Sequence, residues 1–566
     1  MNKLSCISSF LFASALFLPG PHEDGYIIEI PETIDLTETR SFDIKIIQNN
    51  LENNQIIHVR LPDSFILSDS CGRDDVEGKV NGSEIDFTGD ASESITVELE
   101  LEELPAGQWN GTLPIRISLE TRVPSNVLEC GKKLNALLKT VDPQRLVFTS
   151  RIPQADCISD VSLAKDGSIC LYENDRTVYI ANGSDQKILS GEDLSEAFKD
   201  LTSLSYIDLD HLDTYGCRDM SHMFENDRSL ATISGIEALE TENARFMNSL
   251  FSGCRELNAL RIDGWNTGNT VDMSDMFRYC TKLRSLYLNA WNVSACEDFS
   301  NMFAQCTSLY SVGDLSCWNM SNARNISGLF DSCGNLKSIG DLGGWNTENT
   351  ADLSKVFRNC SRLENIGDLS LWDVHNAKDL SELFANAVSL SSCGSFSSWN
   401  VSSQCLNLSG IFRNTGSLLP PDLKLDAWDV SSVIDMSHMF ENALLLQNLN
   451  ISGWNTGSLE NAQGMFAFDQ TGRLSQLTRI IGIENIETAA LKNISKIFYG
   501  NQNLNADLSA WNTSSLQDIS YAFYGNYRFD VDKLKHWNVS SVSDMTEAFG
   551  DNAGAYLHSP IPAWYH

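Results

Sequence analysis

Apolar and polar positions along this chain follow two different rhythms. Between about residues 26 and 146 they alternate one by one in short runs, at 26–30, 42–47, 56–61, 95–101 and 113–119. Turn residues such as Asn49-Asn50, Asn81-Gly82 and Asn110-Gly111 lie between the runs. Alternation with period two places successive side chains on opposite faces of a strand, so the pattern predicts antiparallel strands joined by tight turns. The expected body is an immunoglobulin-like β-sandwich over residues 24–146. Residues 147–189 read as a junction, a short hairpin that caps the C-terminal region.

From residue 190 to 566 a longer period takes over. A phenylalanine recurs at Phe198, Phe224, Phe251, Phe277, Phe303, Phe330, Phe357, Phe384, Phe412, Phe440, Phe466, Phe498, Phe523 and Phe549. The intervals are 25 to 28 residues, with one of 32 before Phe498. Fourteen related units at that spacing predict a solenoid, because one short unit cannot hide its own apolar face and the next must cover it. A propeller blade needs four strands in about 40 residues, more than one unit provides.

Each unit repeats the same order of residues. Ten carry a tryptophan, in nine of them twelve residues before the phenylalanine, as in Trp265 and Phe277, Trp291 and Phe303, Trp318 and Phe330, and Trp345 and Phe357. Leu239 and Ile486 stand in the tryptophan slot of two other units, which marks the slot as core and not as an aromatic ligand box. Alternating aliphatics precede it, such as Leu257, Leu260 and Ile262, and predict one short parallel strand per coil. A turn of the type Trp-Asn-Val-Ser follows, and then Asp272-Met273-Ser274-Asp275-Met276-Phe277, where Asp272 or Ser274 is placed to cap a short helix. The fold class expected is thus an α+β repeat: a solenoid with one short parallel strand and one short helix per coil, behind an antiparallel sandwich.

Charge narrows the partners. A net charge of −35 repels nucleic acid and anionic membrane surfaces alike. A solvated exterior is the simplest meaning of that acidity, ahead of calcium binding. The first 20 residues read as an export signal, with Lys3, an apolar stretch over 4–18 and small residues Ala13, Ser14 and Ala15 for cleavage. Nothing later reaches the 18 or more apolar residues of a membrane span, and 558–566 carry neither an apolar tail nor a sorting motif.

The cysteines follow the period. Cys254, Cys280, Cys306, Cys333 and Cys360 each sit three residues after a repeat phenylalanine, which predicts a buried ladder of reduced thiols. Zinc sites want close Cys-x-x-Cys or Cys and His pairs, and none occurs, so no metal and no cofactor are expected. Cys71 and Cys130 are available for one bridge, but pairing among Cys71, Cys130, Cys157 and Cys170 is not fixed by spacing. The acidic residue five before most phenylalanines, Asp272 among them, is interchangeable with Asn325 or Asn407, so it reads as a backbone-bonding row and not as catalytic carboxylates. No nucleophile elbow and no His-Glu-x-x-His helix occurs, and residues 72–79 miss the spacing of a phosphate loop. The chain is not expected to be an enzyme.

The sharper candidate is the outer face of the strands, four residues before each tryptophan. Arg261, Tyr287, Asp314, Asp341 and Asp368 lie there in consecutive coils, the three aspartates forming an acidic stripe that a cation or a basic partner would relieve. A merely hydrated polar face accounts for the same residues.

The unit Trp-Asn-Val-Ser, Asp-Met-Ser-x-Met-Phe, Cys, Leu, repeated across roughly residues 189–550, resembles the BspA-like leucine-rich repeat surface proteins and the repeat of mycoplasma lipoproteins. That resemblance implies a bacterial product exported to the cell surface, with roles in adhesion to host or matrix proteins and to other cells. The chain departs from it in showing no wall-sorting signal, and Cys6 lies too early in the leader for lipid attachment. The function expected is binding of an extracellular protein or polysaccharide, with a passive stalk as the rival; oligomeric state is left open.

Overall fold

The computed structural model describes residues 125–550 and 562–565 in full and, before them, only the backbone of the strands. Two compact units divide the chain, Met1–Ser125 and Asn126–His566. In the first, Ser41–Gln48 lies between Tyr26–Glu29 and Ser94–Glu100 in one sheet, and Gln55–Arg60 lies between Arg116–Thr121 and Glu84–Phe87 in another, with antiparallel pairing throughout these two sets. Five of these six strands coincide with the alternating runs of the sequence, and Glu84–Phe87 lies outside those runs. The packing of side chains that would make the sheets an immunoglobulin-like sandwich lies outside the described residues. So do the expected leader cleavage point and Cys71.

The second unit starts at Asn126, not at 147. Helix Gly131–Val141 buries Leu134 and Leu138, four residues apart and therefore on one face. Its Asn135 amide donates to the carbonyl of Lys199 at 2.9 Å, in the first coil. Strand Arg145–Thr149 pairs in parallel with Thr177–Ala181 on one side and with Tyr206–Asp208 on the other. Residues 131–149 therefore belong with the array, whose first apolar face they cover. The hairpin of the junction is Cys170–Asn174 with Thr177–Ala181. Cys157 is bonded to Cys170, and Cys130 keeps a free thiol.

From Phe198 onward coil stacks on coil. All fourteen repeat phenylalanines join one unbroken column, with neighbouring ring centroids 5.2 to 6.2 Å apart. Offset ring pairs of this kind add about 0.5–1.5 kcal/mol each beyond the area they bury. Trp265, Trp291, Trp318 and Trp345 are buried beside the column. Each indole N–H donates to a backbone carbonyl of the coil before it, as Trp291 Nε1 does to Ile262 at 2.9 Å and Trp345 Nε1 to Leu315 at 3.0 Å. A buried indole needs such a partner, and the repeat supplies one at a fixed register.

The short helix expected at 272–277 does not form. Two left-handed residues bracket most of the repeat phenylalanines, Asp275 at φ 55° and Tyr279 at φ 60° in this coil, and a helix cannot pass through them. Alternate amides turn outward instead: Met273, Asp275, Phe277 and Tyr279 donate to the carbonyls of Asp298, Ser300, Met302 and Ala304 in the next coil, at 2.8 to 2.9 Å. The amides between them, Met276, Arg278 and Cys280, donate three residues back within the coil. A helix of about one turn has no favourable nucleus alone, whereas a stacked neighbour offers an acceptor at every second residue.

The parallel pairing is also placed differently from expectation. Upstream of tryptophan, regular strands are confined to Tyr206–Asp208 with Thr232–Ser234 and to Asp422–Lys424, Asn448–Asn450 and Arg479–Ile481, with single bridges from Ser285 through Ser311 and Ser338 to Asn365. The ladder that runs from the first coil to the last is at the acidic slot, from Asp193 through Asp272, Asp298 and Asn325 to Asp544. There the side chain accepts from the amide two residues on, Ser274 N to Asp272 Oδ1 at 2.9 Å and Ser327 N to Asn325 Oδ1 at 3.0 Å. Aspartate and asparagine both serve because each presents an oxygen to that amide.

Candidate ligand-binding face

Arg261, Tyr287, Asp314, Asp341 and Asp368 all stand in solvent on successive coils, Tyr287 at 64% exposure. The structure thus brings them to one outer face. It also gives the aspartates a local task. Asp314 Oδ1 accepts from Ser316 N at 3.0 Å, Asp341 Oδ1 from Gly343 N at 2.9 Å, and Asp368 Oδ1 from Ser370 N at 2.9 Å and from Ser370 Oγ at 2.5 Å. Hydrogen bonds from Ser316 hold the Asp314 carboxyl below its ordinary range, and those from Ser370 do the same for Asp368. Asn450 caps its turn in the same way through Ser452 N at 3.1 Å, without charge.

A glycine of the following coil packs against each aspartate. Gly340, Gly367 and Gly394 have φ of +93°, +83° and +90°. A Cβ on them would come within 2.0, 1.7 and 1.8 Å of Oδ1 of Asp314, Asp341 and Asp368 in the preceding coil. Each carboxylate is therefore roofed by the next backbone. The stripe is a stack of capped turns, with one carboxylate oxygen per coil committed to it.

Along the inner side, Cys254, Cys280, Cys306, Cys333 and Cys360 are buried and unpaired. Each thiol donates to the phenylalanine carbonyl of the coil before, at 3.0 to 3.1 Å. Burial pushes the Cys306 thiol up to about 12, which keeps it protonated and unreactive. Among the described residues no three His, Cys, Asp or Glu side chains gather to hold a metal ion. Asp227 heads this row: Oδ1 accepts from Leu201 N at 2.8 Å, while Oδ2 is buried with no partner among the described residues. Burial drives its carboxyl well above the carboxylate range, so it sits neutral in the stack.

Three features escaped the sequence reading. Trp564 stacks on Trp537 at 6.2 Å and donates to Leu534 at 3.0 Å, taking the tryptophan slot of one more, partial coil. Asn359, Asn386, Asn414 and Asn442 form an amide ladder, each Nδ2 of a later rung donating to Oδ1 of the one before at 2.7 to 2.8 Å. They share the slot two after the phenylalanine, where asparagine tolerates the left-handed backbone. The third is a cleft of about 780 Å³ bordered by residues 388–476, where the coils are longest. The one signal for it was the interval of 32 residues before Phe498.

Coil on coil with parallel pairing, an aromatic and leucine core and almost no helix, the second unit is a leucine-rich-repeat-like solenoid. The family described as "Mycoplasma protein of unknown function, DUF285" matches at residues 192–312, 307–421, 394–476 and 468–565, and this chain belongs to it. A crystal structure of a leucine-rich repeat protein from Bacteroides ovatus ATCC 8483 is similar over 64% of this chain and 86% of that one, at 16% identity and a TM-score of 0.27. No curated protein matches. No helix among the described residues is long and apolar enough to cross a membrane.

Proposed function

We propose that this is an exported, non-enzymatic surface protein of the BspA-like kind, whose repeat array binds an extracellular protein or polysaccharide. One observation carries the reading: the core repeats almost without change while the outer row does not. Phenylalanine recurs at every coil, yet the row four before tryptophan runs Arg261, Tyr287, Asp314, Asp341, Asp368, Ser395 and then Lys424. A spacer gains nothing from such variation, whereas a recognition surface is made of it. A rigid face also binds with little ordering cost, which suits macromolecules with extended contact.

The export signal over residues 1–20 supports the location, and the charge of −35 argues against a nucleic-acid partner. The test uses the full chain against immobilised matrix proteins and cell-envelope polysaccharides, read by biolayer interferometry. Tyr287→Ala with Arg261→Ala is expected to weaken binding at least tenfold. The triple change Asp314→Asn, Asp341→Asn and Asp368→Asn is expected to weaken a basic partner and to leave the fold intact. If neither set alters binding or calcium affinity, the row is not the ligand face.

A further inference from the structure

The longest coil, between Phe466 and Phe498, raises residues 470–476 beside the regular stack. Insertions in a repeat array collect on one face, often the face that binds. This one is anchored, because Ser475 is buried and its Oγ donates to Asn501 Oδ1 at 2.7 Å. Together with the coils on either side it encloses the cleft of about 780 Å³, a size that holds several residues of a ligand.

We propose that this cleft is a binding site for an extended polypeptide segment that carries aliphatic side chains and a carboxylate. Val388, Leu445 and Leu474 border it and remain 50%, 43% and 57% exposed, three large aliphatic groups left in water around one opening. Gln447, Gln470 and Gln476 also line it, and their side-chain amides have no hydrogen-bond partner among the described residues. A primary amide offers one acceptor and two donors, the complement of a peptide group. Phe468, the aromatic side chain in the lining, is only 6% exposed, so a sugar ring has no platform to stack on.

Charge selects the acidic group. The chain has 75 Asp and Glu against 40 Lys and Arg, yet the lining holds no acid and one cation, Arg473. Arg473 makes no ion pair among the described residues, and its planar fork matches a carboxylate with two parallel hydrogen bonds. Asp469 stands at the base of the loop, but its carboxylate accepts from Asn442 Nδ2 at 2.7 Å.

The test selects randomised seven-residue peptides on the immobilised full chain and measures enriched, fluorescein-labelled peptides by anisotropy. Enrichment in Leu, Ile or Val together with Asp, Glu or a free C-terminus is expected. Arg473→Gln and, separately, Leu474→Asp are expected to weaken binding about tenfold or more, the loss of one charge-assisted pair or one apolar contact. Both side chains are exposed, so thermal unfolding should not move. The triple asparagine variant of the outer row should bind these peptides as the parent does, which separates this site from that face. No enrichment, or affinity indifferent to both substitutions, overturns the proposal. Soluble oligosaccharides that bind and are lost with Arg473→Gln would assign the cleft to glycans and overturn it as well.

Discussion

The coils from Phe251 to Phe384 and those from Phe384 to Phe498 share one core and differ in their outline. In the first stretch the spacing is 26 or 27 residues, and cysteines fill the slot three after phenylalanine. In the second the spacing is 28, 28, 26 and 32, and the slot passes to Ala387, Thr415, Ala443 and Asp469. Yet the ring separation across the 32-residue coil, Phe466 to Phe498, is 5.7 Å, against 5.5 and 5.6 Å for Phe277 to Phe303 and Phe251 to Phe277. Extra residues are thus taken up entirely outside the column. The stack sets the rise per coil, and the loop edge is free to change.

Breaking the column should cost most. Phe303→Ala opens a cavity between two close neighbours in the regular stretch and should destabilise by about 3–5 kcal/mol in urea unfolding. A loss no larger than that of a surface change would mean the rings are not the support. Asp227→Asn should act in the opposite direction. Asn501 fills the same slot in a later coil and its amide donates to the Phe466 carbonyl at 2.5 Å, whereas Asp227 must hold a proton that the unfolded carboxyl gives up at neutral pH. At pH 7 the substitution should stabilise by about 1–3 kcal/mol.

The pH dependence of Asp227 has a definite sign. Its pKa is raised in the folded chain, while the unfolded carboxyl titrates near the ordinary value of about 3.9. Folding takes up a proton between these two values. The contribution is therefore complete below about pH 4 and is lost as pH rises through the folded pKa. Melting curves of parent and Asp227→Asn should converge in acid and separate toward neutrality; parallel curves would mean that Asp227 ionises freely in place.

Cys306→Ala removes a small buried group and its bond to the Phe277 carbonyl, and should cost about 1–2 kcal/mol. A thiol reagent should label exposed Cys317 in the native chain and reach the five ladder thiols only after unfolding. Rapid labelling of the ladder would contradict its burial. Smallest of all, deleting residues 470–474 from the expanded coil should shift stability by only a few tenths of a kcal/mol, since loop closure depends weakly on length. A large loss would show that the loop supports the column after all.

Much of this was legible in the residues. The period named the core, because only side chains hidden in every coil can recur as Phe277, Trp291 and Phe303 do. The alternating runs placed the strands of the first unit to within a few residues. No helix forms at 272–277, although Asp272 and Ser274 would suit its start, because the same residues start a turn equally well, and the left-handed residues at 275 and 279 carry no fixed letter. The acidic stripe was legible as a row, but the turn that each aspartate caps was not.

By itself the sequence determined that the units must stack and which side chains they must hide, since burial is written into composition at a fixed spacing. Only the tertiary structure decided where the backbone pairs, how the aspartates are spent, and that glutamines and leucines from neighbouring coils meet around one cleft. Those outcomes depend on what the next coil presents about 5 Å away. No single unit contains that information.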